Sequence, residues 1–238
     1  MSNISTDKYK PFLQQLSIEN KNILLLYGNE MSFKKNTELF IEGEEMNDIY
    51  LIRSGQILIS KKAIDDKEFF LHIKGQDDIV GEGCMFNEMK ANIAAKTISD
   101  TVVIRFAKHE LEALFTQYSE IAIAFIRMFT RNTQSTIAKF SDLLLYGKTG
   151  AFYSTLIRFA NSYGVETKDG IKLSMKLTNQ DIAYFIGTSR ETVNRMLNDL
   201  RKDDIIDIID GYFIIKDLEF LKGHLHCGKC PLAICTIA

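Results

Sequence analysis

Residues 178 to 202 read TNQDIAYFIGTSRETVNRMLNDLRK, and the placing of caps, glycine and apolar residues in this stretch decides how the chain folds. Thr178 and Ser189 each stand directly before a helix-forming run, where a short side-chain oxygen accepts from the free amides of a first turn. Gly187 lies between the runs, where a tight turn asks for backbone freedom. Ile182, Ala183, Ile186, Val193, Met196, Leu197 and Leu200 fall on the faces that two such helices turn toward each other. The pattern predicts a helix-turn-helix with Arg190, Glu191, Asn194 and Arg195 exposed at the start of the second helix. Side chains there reach base edges in the major groove. Arginine can grip guanine O6 and N7 together, and glutamate can accept from cytosine N4. Ser189 and Thr178, at helix N-termini, are placed to seat phosphates. The competing reading is a solvated surface helix whose Arg190, Glu191 and Arg195 merely form i,i+4 pairs. Against it stands the next run, IIDIIDGYFIIKD, which turns at Asp210-Gly211, a type I′ hairpin signal that supplies a wing.

Upstream, HELEALFTQYSEIAIAFIRMFTRNTQSTIAKFSDLLLYG (109–147) contains no proline and no interior glycine. Ala122, Ile126, Phe129, Thr133, Thr136, Phe140 and Leu143 follow one another in steps of 4, 3, 4, 3, 4, 3. That is a heptad seam, the mark of a helix lying along a partner helix, weakened in the middle by its two threonines. It predicts a homodimer, the alternative being one helix packed on its own barrel. Gly147 and Gly150 end the run, so a hinge is expected near 146 to 150. From about 35 to 105, β-rich runs such as DIYLIRSGQILIS and TVVIRF alternate with turn-like EGEEMND and KGQDD, the spacing of a small barrel or jelly roll. Before it, Ser17 is placed to cap the helix that Gly28 closes. The expected class is therefore α+β. Residues 1–108 form a β-roll domain with N-terminal helices, 109–146 a dimerisation helix, 147–220 a winged helix-turn-helix and 221–238 a cysteine-rich tail.

The formal net charge is -2, unlike a strongly basic nucleic-acid binder, so DNA contact has to come from a local patch. Within 178–202 four basic residues (Arg190, Arg195, Arg201, Lys202) face three acidic ones (Asp181, Glu191, Asp199), a thin margin that makes dimerisation necessary for useful affinity. No apolar run is long enough to span a bilayer, and MSNISTDKYKPF lacks the layout of a secretory signal, so a cytoplasmic protein with reduced thiols is expected. No phosphate-cradling glycine loop and no Ser/His/Asp arrangement is present, and an enzyme is not expected.

Three of the four cysteines crowd into HCGKCPLAIC (226–235). In a reducing compartment such clusters bind metal or do redox chemistry more often than they form disulfides. Cys227 and Cys230, two residues apart, can wrap one site, and Pro231 after Cys230 matches the Cys-Pro ending of ferredoxin motifs. With Cys235 the set offers three thiolates, one short of a four-ligand cubane. A structural zinc completed by His226 or His224 fits the spacing equally well, and a thiol-disulfide pair is a third possibility. Cys84, in an apolar loop, is expected to be a small core residue.

The stretch IGTSRETVNRML resembles the recognition helix of the CRP/FNR family of bacterial transcription regulators, while IEGEEMNDIYLIRSGQILI and DDIVGEGCMF resemble its cyclic-nucleotide-binding-type β-roll. Three motifs in the family's order cover nearly the whole chain. The resemblance implies a homodimer on a two-fold symmetric DNA site, with RNA polymerase as a further partner. It also implies a TGTGA-like half-site read by Arg190, Glu191 and Arg195. Cyclic-AMP-responsive members carry an Arg-Ser pair after the Gly-Glu loop. Here Gly81 and Glu82 are followed by Asn92 and Ile93 at that place, which argues against cyclic AMP even with Lys90 nearby. The tail, together with SDLLLYGKTGAFYSTLIR around the hinge, resembles the Gram-positive branch of FNR regulators with a C-terminal cysteine triad. That likeness implies an oxygen-sensitive [4Fe-4S] cluster on Cys227, Cys230 and Cys235, with Asp142 as fourth ligand.

Overall fold

A computed structural model describes residues 9–62, 68–85, 90–227 and 230–237, with only the backbone of Cys84; the expectation for the Cys84 side chain lies outside the described residues. Two compact units emerge: one holds residues 10–66 and 71–132, the other 133–237 together with 67–70.

The first unit opens with α1 (Ile18–Leu26), whose N-cap Ser17 accepts from the Asn20 amide. Strands β1 (Asn29–Phe33), β2 (Glu38–Phe40), β3 (Asp48–Ser54), β4 (Ile57–Lys62), β5 (Glu68–Lys74), β6 (Ile79–Val80), β7 (Ala94–Thr97) and β8 (Thr101–Ala107) follow. They form two four-stranded sheets, ordered β1-β8-β3-β6 and β2-β7-β4-β5. Side-chain alternation along a strand explains how β3 serves two cores. Tyr50 and Ile52 join Phe40, Ile57, Ile59, Ala95 and Val103, contributed by both sheets. Ile49 and Leu51 point the other way and meet helical residues including Leu24, Leu111, Leu114, Phe125 and Met128.

Those helices are α2 (Lys108–Gln117) and the first part of α3 (Ser119–Tyr163). The stretch read as one helix from 109 to 146 is thus interrupted at Tyr118, whose backbone (φ -123, ψ 87) is not helical. Neither glycine nor proline stands there. The break lets Leu111 and Leu114 on one side, and Ile121, Phe125 and Met128 on the other, bury against the same core, with Tyr118 packed on it. Burial outweighs the propensity of an unbroken helix.

Glu120, at the start of α3, accepts from the Ser17 amide and hydroxyl and from Asn20 Nδ2, tying α3 to α1. Its pKa is held below the ordinary glutamate value, first by the Ser17 amide and then, against slight desolvation, by the Asn20 and Ser17 side chains. A depressed carboxylate contributes stability that is present above the unfolded pKa and lost as pH falls through the folded one. Glu120→Gln therefore lowers the thermal midpoint at neutral pH, and the gap from wild type closes in acid. Thermal unfolding at both pH values measures it.

In the second unit α3 is interrupted again, at Gly147 (φ 62, ψ -161). Beyond it lie β9 (Gly164–Thr167), β10 (Gly170–Leu173), α4 (Asn179–Ile186), α5 (Arg190–Lys202), β11 (Ile206–Ile209), β12 (Tyr212–Ile215) and α6 (Leu218–His224). The strands make one sheet, ordered β11-β12-β10-β9. Phe152, Leu156, Phe159, Ile182, Ile186, Val193, Leu197, Phe213 and Leu221 are buried. Phe159 meets Phe185 edge to face at 5.3 Å between ring centres.

Candidate DNA interface and cysteine-tail site

Local chemistry builds the helix-turn-helix. The hydroxyl of Thr178 accepts from the Asp181 amide while the Asp181 carboxylate accepts from the Thr178 amide, a reciprocal capping box at the start of α4. Gly187 ends α4 in the left-handed region (φ 62, ψ 43). Ser189 caps α5 by accepting from the Thr192 amide. A Cβ at Gly187 meets no clash, so Gly187→Ala pays only for its backbone conformation, roughly 1–2 kcal/mol. That cost is expected as a lowered thermal midpoint and is checked by calorimetry.

Val193, Leu197 and Leu200 bury one face of α5. Thr178, Ser189, Arg190, Glu191, Asn194 and Arg195 are all exposed. Asn179 Nδ2 donates to Asn194 Oδ1 at 3.2 Å, joining the start of α4 to the exposed face of α5. Glu191 is held below the ordinary glutamate pKa, first by its own amide, then by Ser189 and by the charge of Arg190, so it stays an ionised acceptor. The hairpin turns through Asp210 (φ 54) and Gly211 (φ 81), both left-handed as a type I′ turn requires. Lys172 and Lys176 bring their ammonium groups to 4.6 and 5.1 Å from the Tyr212 ring centre. Sequence reasoning confined to 178–202 missed these two cations. The signal was an aromatic directly after Asp-Gly, with one lysine in the neighbouring strand β10 and another three residues past its end.

The second set of residues gathers around α3. Asp142 sits one turn before the Gly147 break, and Gly150 one turn of helix after it. A Cβ at Gly150 would come within 2.2 Å of Tyr146 Cβ, 3.1 Å of the Asp142 carbonyl and 3.3 Å of Leu225. Glycine there allows the α3 backbone and the residue following α6 to approach closely. Asp142 Oδ2 accepts from Ser154 Oγ and from Arg158 Nη2, the latter at 3.3 Å. Arg158, buried to 3% exposure, donates from Nε to Ser154 Oγ (3.1 Å) and from Nη1 to the Ile234 carbonyl (2.7 Å). Asn161 Nδ2 donates to the Cys235 carbonyl (2.8 Å), and Ser162 Oγ accepts from the Ile237 amide (3.0 Å). Ser154, Arg158 and Asn161 lie at i, i+4 and i+7, a polar stripe on an otherwise apolar helix face. The sequence carried that signal, and only the tail's docking gives it meaning.

Cys227 and Cys230 are exposed and Cys235 is half-buried, none in a disulfide. Burial raises the Cys227 thiol pKa, and the charges of Cys235, Asp142 and Cys230 add to the rise while Arg158 opposes it. Burial likewise raises Cys235, opposed by Arg158 and Asn161 and reinforced by Cys230 and Asp142. The three thiols and the Asp142 carboxylate thus lie within one another's electrostatic reach. Among the described residues no three His, Cys, Asp or Glu side chains converge on a single-ion site. His224 packs edge-on against Tyr153 at 5.0 Å, and His226 lies 6.2 Å from the Tyr146 ring. Among the described residues Thr236 Oγ1, directly after Cys235, is buried without a hydrogen-bond partner. Thiols and a carboxylate are donors that a metal group takes, and Cys227, Cys230, Cys235 and Asp142 are the residues that would hold one here.

In the β-roll, Glu82 accepts from Asn132 Nδ2 at 2.8 Å, and Asn132 Oδ1 accepts from the buried Lys74 ammonium at 3.1 Å. At the place of the Arg-Ser pair, the Asn92 carbonyl accepts from Lys61, which also pairs with Glu42.

A β-roll, a long helix and a winged helix-turn-helix in one chain define a DNA-binding transcription regulator rather than an enzyme. Residues 30–118 match the family described as "Cyclic nucleotide-binding domain", and residues 153–223 match "Crp-like helix-turn-helix domain". The chain is 40% identical over 236 residues to the "Anaerobic regulatory protein" of Bacillus subtilis (strain 168), covering 98% of this chain and 94% of that one. It is 28% identical to the "CRP-like cAMP-activated global transcriptional regulator" of Mycobacterium tuberculosis, over 80% of this chain and 85% of the relative. Among solved structures, a CooA mutant from Carboxydothermus hydrogenoformans shares the fold with a TM-score of 0.76 at 21% identity, over 92% of this chain and 97% of that one. The c-di-GMP responsive regulator CLP of Xanthomonas campestris gives the same TM-score and identity, over 84% of this chain and all of the other. The chain belongs to the CRP/FNR family of transcription regulators. Among the described residues, no helix is long and apolar enough to cross a membrane.

Proposed function

We propose that this protein is an oxygen-responsive regulator that binds a TGTGA-like palindrome as a homodimer while a [4Fe-4S] cluster occupies its tail. The observation that carries the reading is that the buried Arg158 guanidinium joins Asp142 to the Ile234 carbonyl of the tail, directly before Cys235. The name of the B. subtilis relative, an anaerobic regulatory protein, points the same way. When bound, the cluster supplies reactivity toward oxygen, sharpened by a carboxylate ligand that is hard and weak for iron.

The chain's own residues do the rest. Cys227, Cys230 and Cys235 hold the tail on one side and Asp142 holds α3 on the other, spanning the Gly147 break. With both held, each α5 of the dimer is fixed for its half-site, one DNA turn from its partner. Once the cluster is lost, hydrogen bonds alone are left to hold the tail on α3, α5 samples other orientations and affinity falls by the fraction of competent geometry. Dimerisation is supported by the exposure of Ile126 (61%), Phe129 (47%) and Phe140 (59%) along the heptad seam. RNA polymerase is the further partner in this reading, as the family resemblance implies. The residues at the place of the Arg-Ser pair give no reason to assign a cyclic nucleotide to the β-roll.

Metal and sulfide analysis of protein purified under strict anaerobiosis tests the reading. About four iron and four sulfide per chain, with visible absorbance that fades in air, is the expected result. About one zinc and no colour would make the tail a structural clip and move the sensor to the β-roll.

A further inference from the structure

Arg158 is a buried cation whose guanidinium reaches three separate parts of the second unit. Nε bonds Ser154 on its own helical turn, Nη2 reaches Asp142 across the Gly147 break, and Nη1 reaches the Ile234 carbonyl in the tail. A buried guanidinium is tolerated only where it is paired and hydrogen-bonded, and here each of its nitrogens is used. Both of the Asp142 hydrogen bonds described fall on Oδ2. Oδ1 is thereby left for another partner while the carboxylate stays fixed. Asn161 and Ser162, from the same stretch of helix, hold the tail at the Cys235 carbonyl and at the Ile237 amide.

We propose that Arg158 is the positioning residue of the tail site, presenting Asp142 and the cysteine tail in register before iron arrives. The proposal rests on the cluster reading of the tail, but its first consequence does not need a cluster. In the metal-free chain the same fork holds the tail on α3. Lysine keeps the charge but lacks the planar fork that serves acceptors in divergent directions. Glutamine loses both.

The experiment uses the full chain, anaerobic and metal-free, as wild type, Arg158→Gln and Arg158→Lys. Hydrogen exchange is read at the tail amides, with the β10 and β12 amides of the same unit as the folding control. Loss of a bond made by a charged group is expected to speed tail exchange on the order of tenfold in both variants, leaving β10 and β12 unchanged. The chains are then supplied with limiting ferrous iron and sulfide. Arg158→Gln is expected to take up several-fold less iron than wild type, with Arg158→Lys between them. Wild-type exchange and wild-type uptake in both variants would overturn the proposal. If wild type itself takes up no iron-sulfur, the cluster reading fails, while the exchange data still decide whether Arg158 holds the tail. Should Arg158→Gln fail the folding control, Arg158→Lys decides alone.

Discussion

Replacing any one of Cys227, Cys230 or Cys235 by serine removes the visible absorbance of the anaerobic protein and drops its affinity for the palindrome to the non-specific level. The size of the effect follows from the role assigned to the tail. Specific binding in such regulators exceeds non-specific binding by roughly 10³ or more, and both α5 helices of a dimer must be presented together to keep that margin. Losing one thiolate removes the cluster's share of the span between tail and α3 in both subunits and leaves only the hydrogen bonds of Arg158 and Asn161. A fall of at least about a hundredfold is expected, since a two-state shift of that size needs only a few kcal/mol. The folded fraction should hardly move. Cys227 and Cys230 are exposed, so serine costs the core little at these positions. Anaerobic fluorescence anisotropy on a labelled palindrome, beside circular dichroism, separates lost binding from lost folding.

Arg195→Ala acts without touching the cluster. The side chain stands exposed on α5, one turn after Glu191, and a bidentate arginine–guanine pair is worth about 1–3 kcal/mol of discrimination. A dimer makes the pair twice, so specific affinity should fall roughly 30-fold to 10⁴-fold, and discrimination at the corresponding base pair should relax. Iron content stays at the wild-type value. Lys176→Ala is the contrasting case. Its ammonium stands over Tyr212 in the wing, and a phosphate contact is the role expected of it. It should weaken all DNA sequences alike and lower the salt dependence by about one counterion per contact. Titrations of matched and mismatched duplexes at several salt concentrations distinguish the two variants.

What could be read from the sequence divides along a physical line. The caps Ser17, Thr178 and Ser189, the turn at Gly187 and the hairpin at Asp210-Gly211 are settled within a few residues, and their spacing announces them. The β-roll strands announce themselves by short alternating runs between turns. The interruption at Tyr118 does not, because nothing local breaks the helix there. It exists so that two helical faces can share one core. Arg158 belongs to a polar stripe that the sequence shows, but it reads as a surface residue until the tail folds back and the Ile234 carbonyl supplies an acceptor. The Lys74–Asn132–Glu82 chain likewise joins residues far apart in sequence. The cysteine spacing named a metal-type site but left zinc and iron-sulfur level. The choice came from the family resemblance.

The central claim is that DNA binding depends on the group held between the tail and Asp142. One sample of anaerobic protein, with iron and sulfide measured, is titrated onto a TGTGA palindrome, exposed to air until its absorbance is gone, and titrated again. Tight, sequence-specific binding that collapses in step with iron loss is the predicted result. Equal affinity before and after the iron is lost would contradict the account.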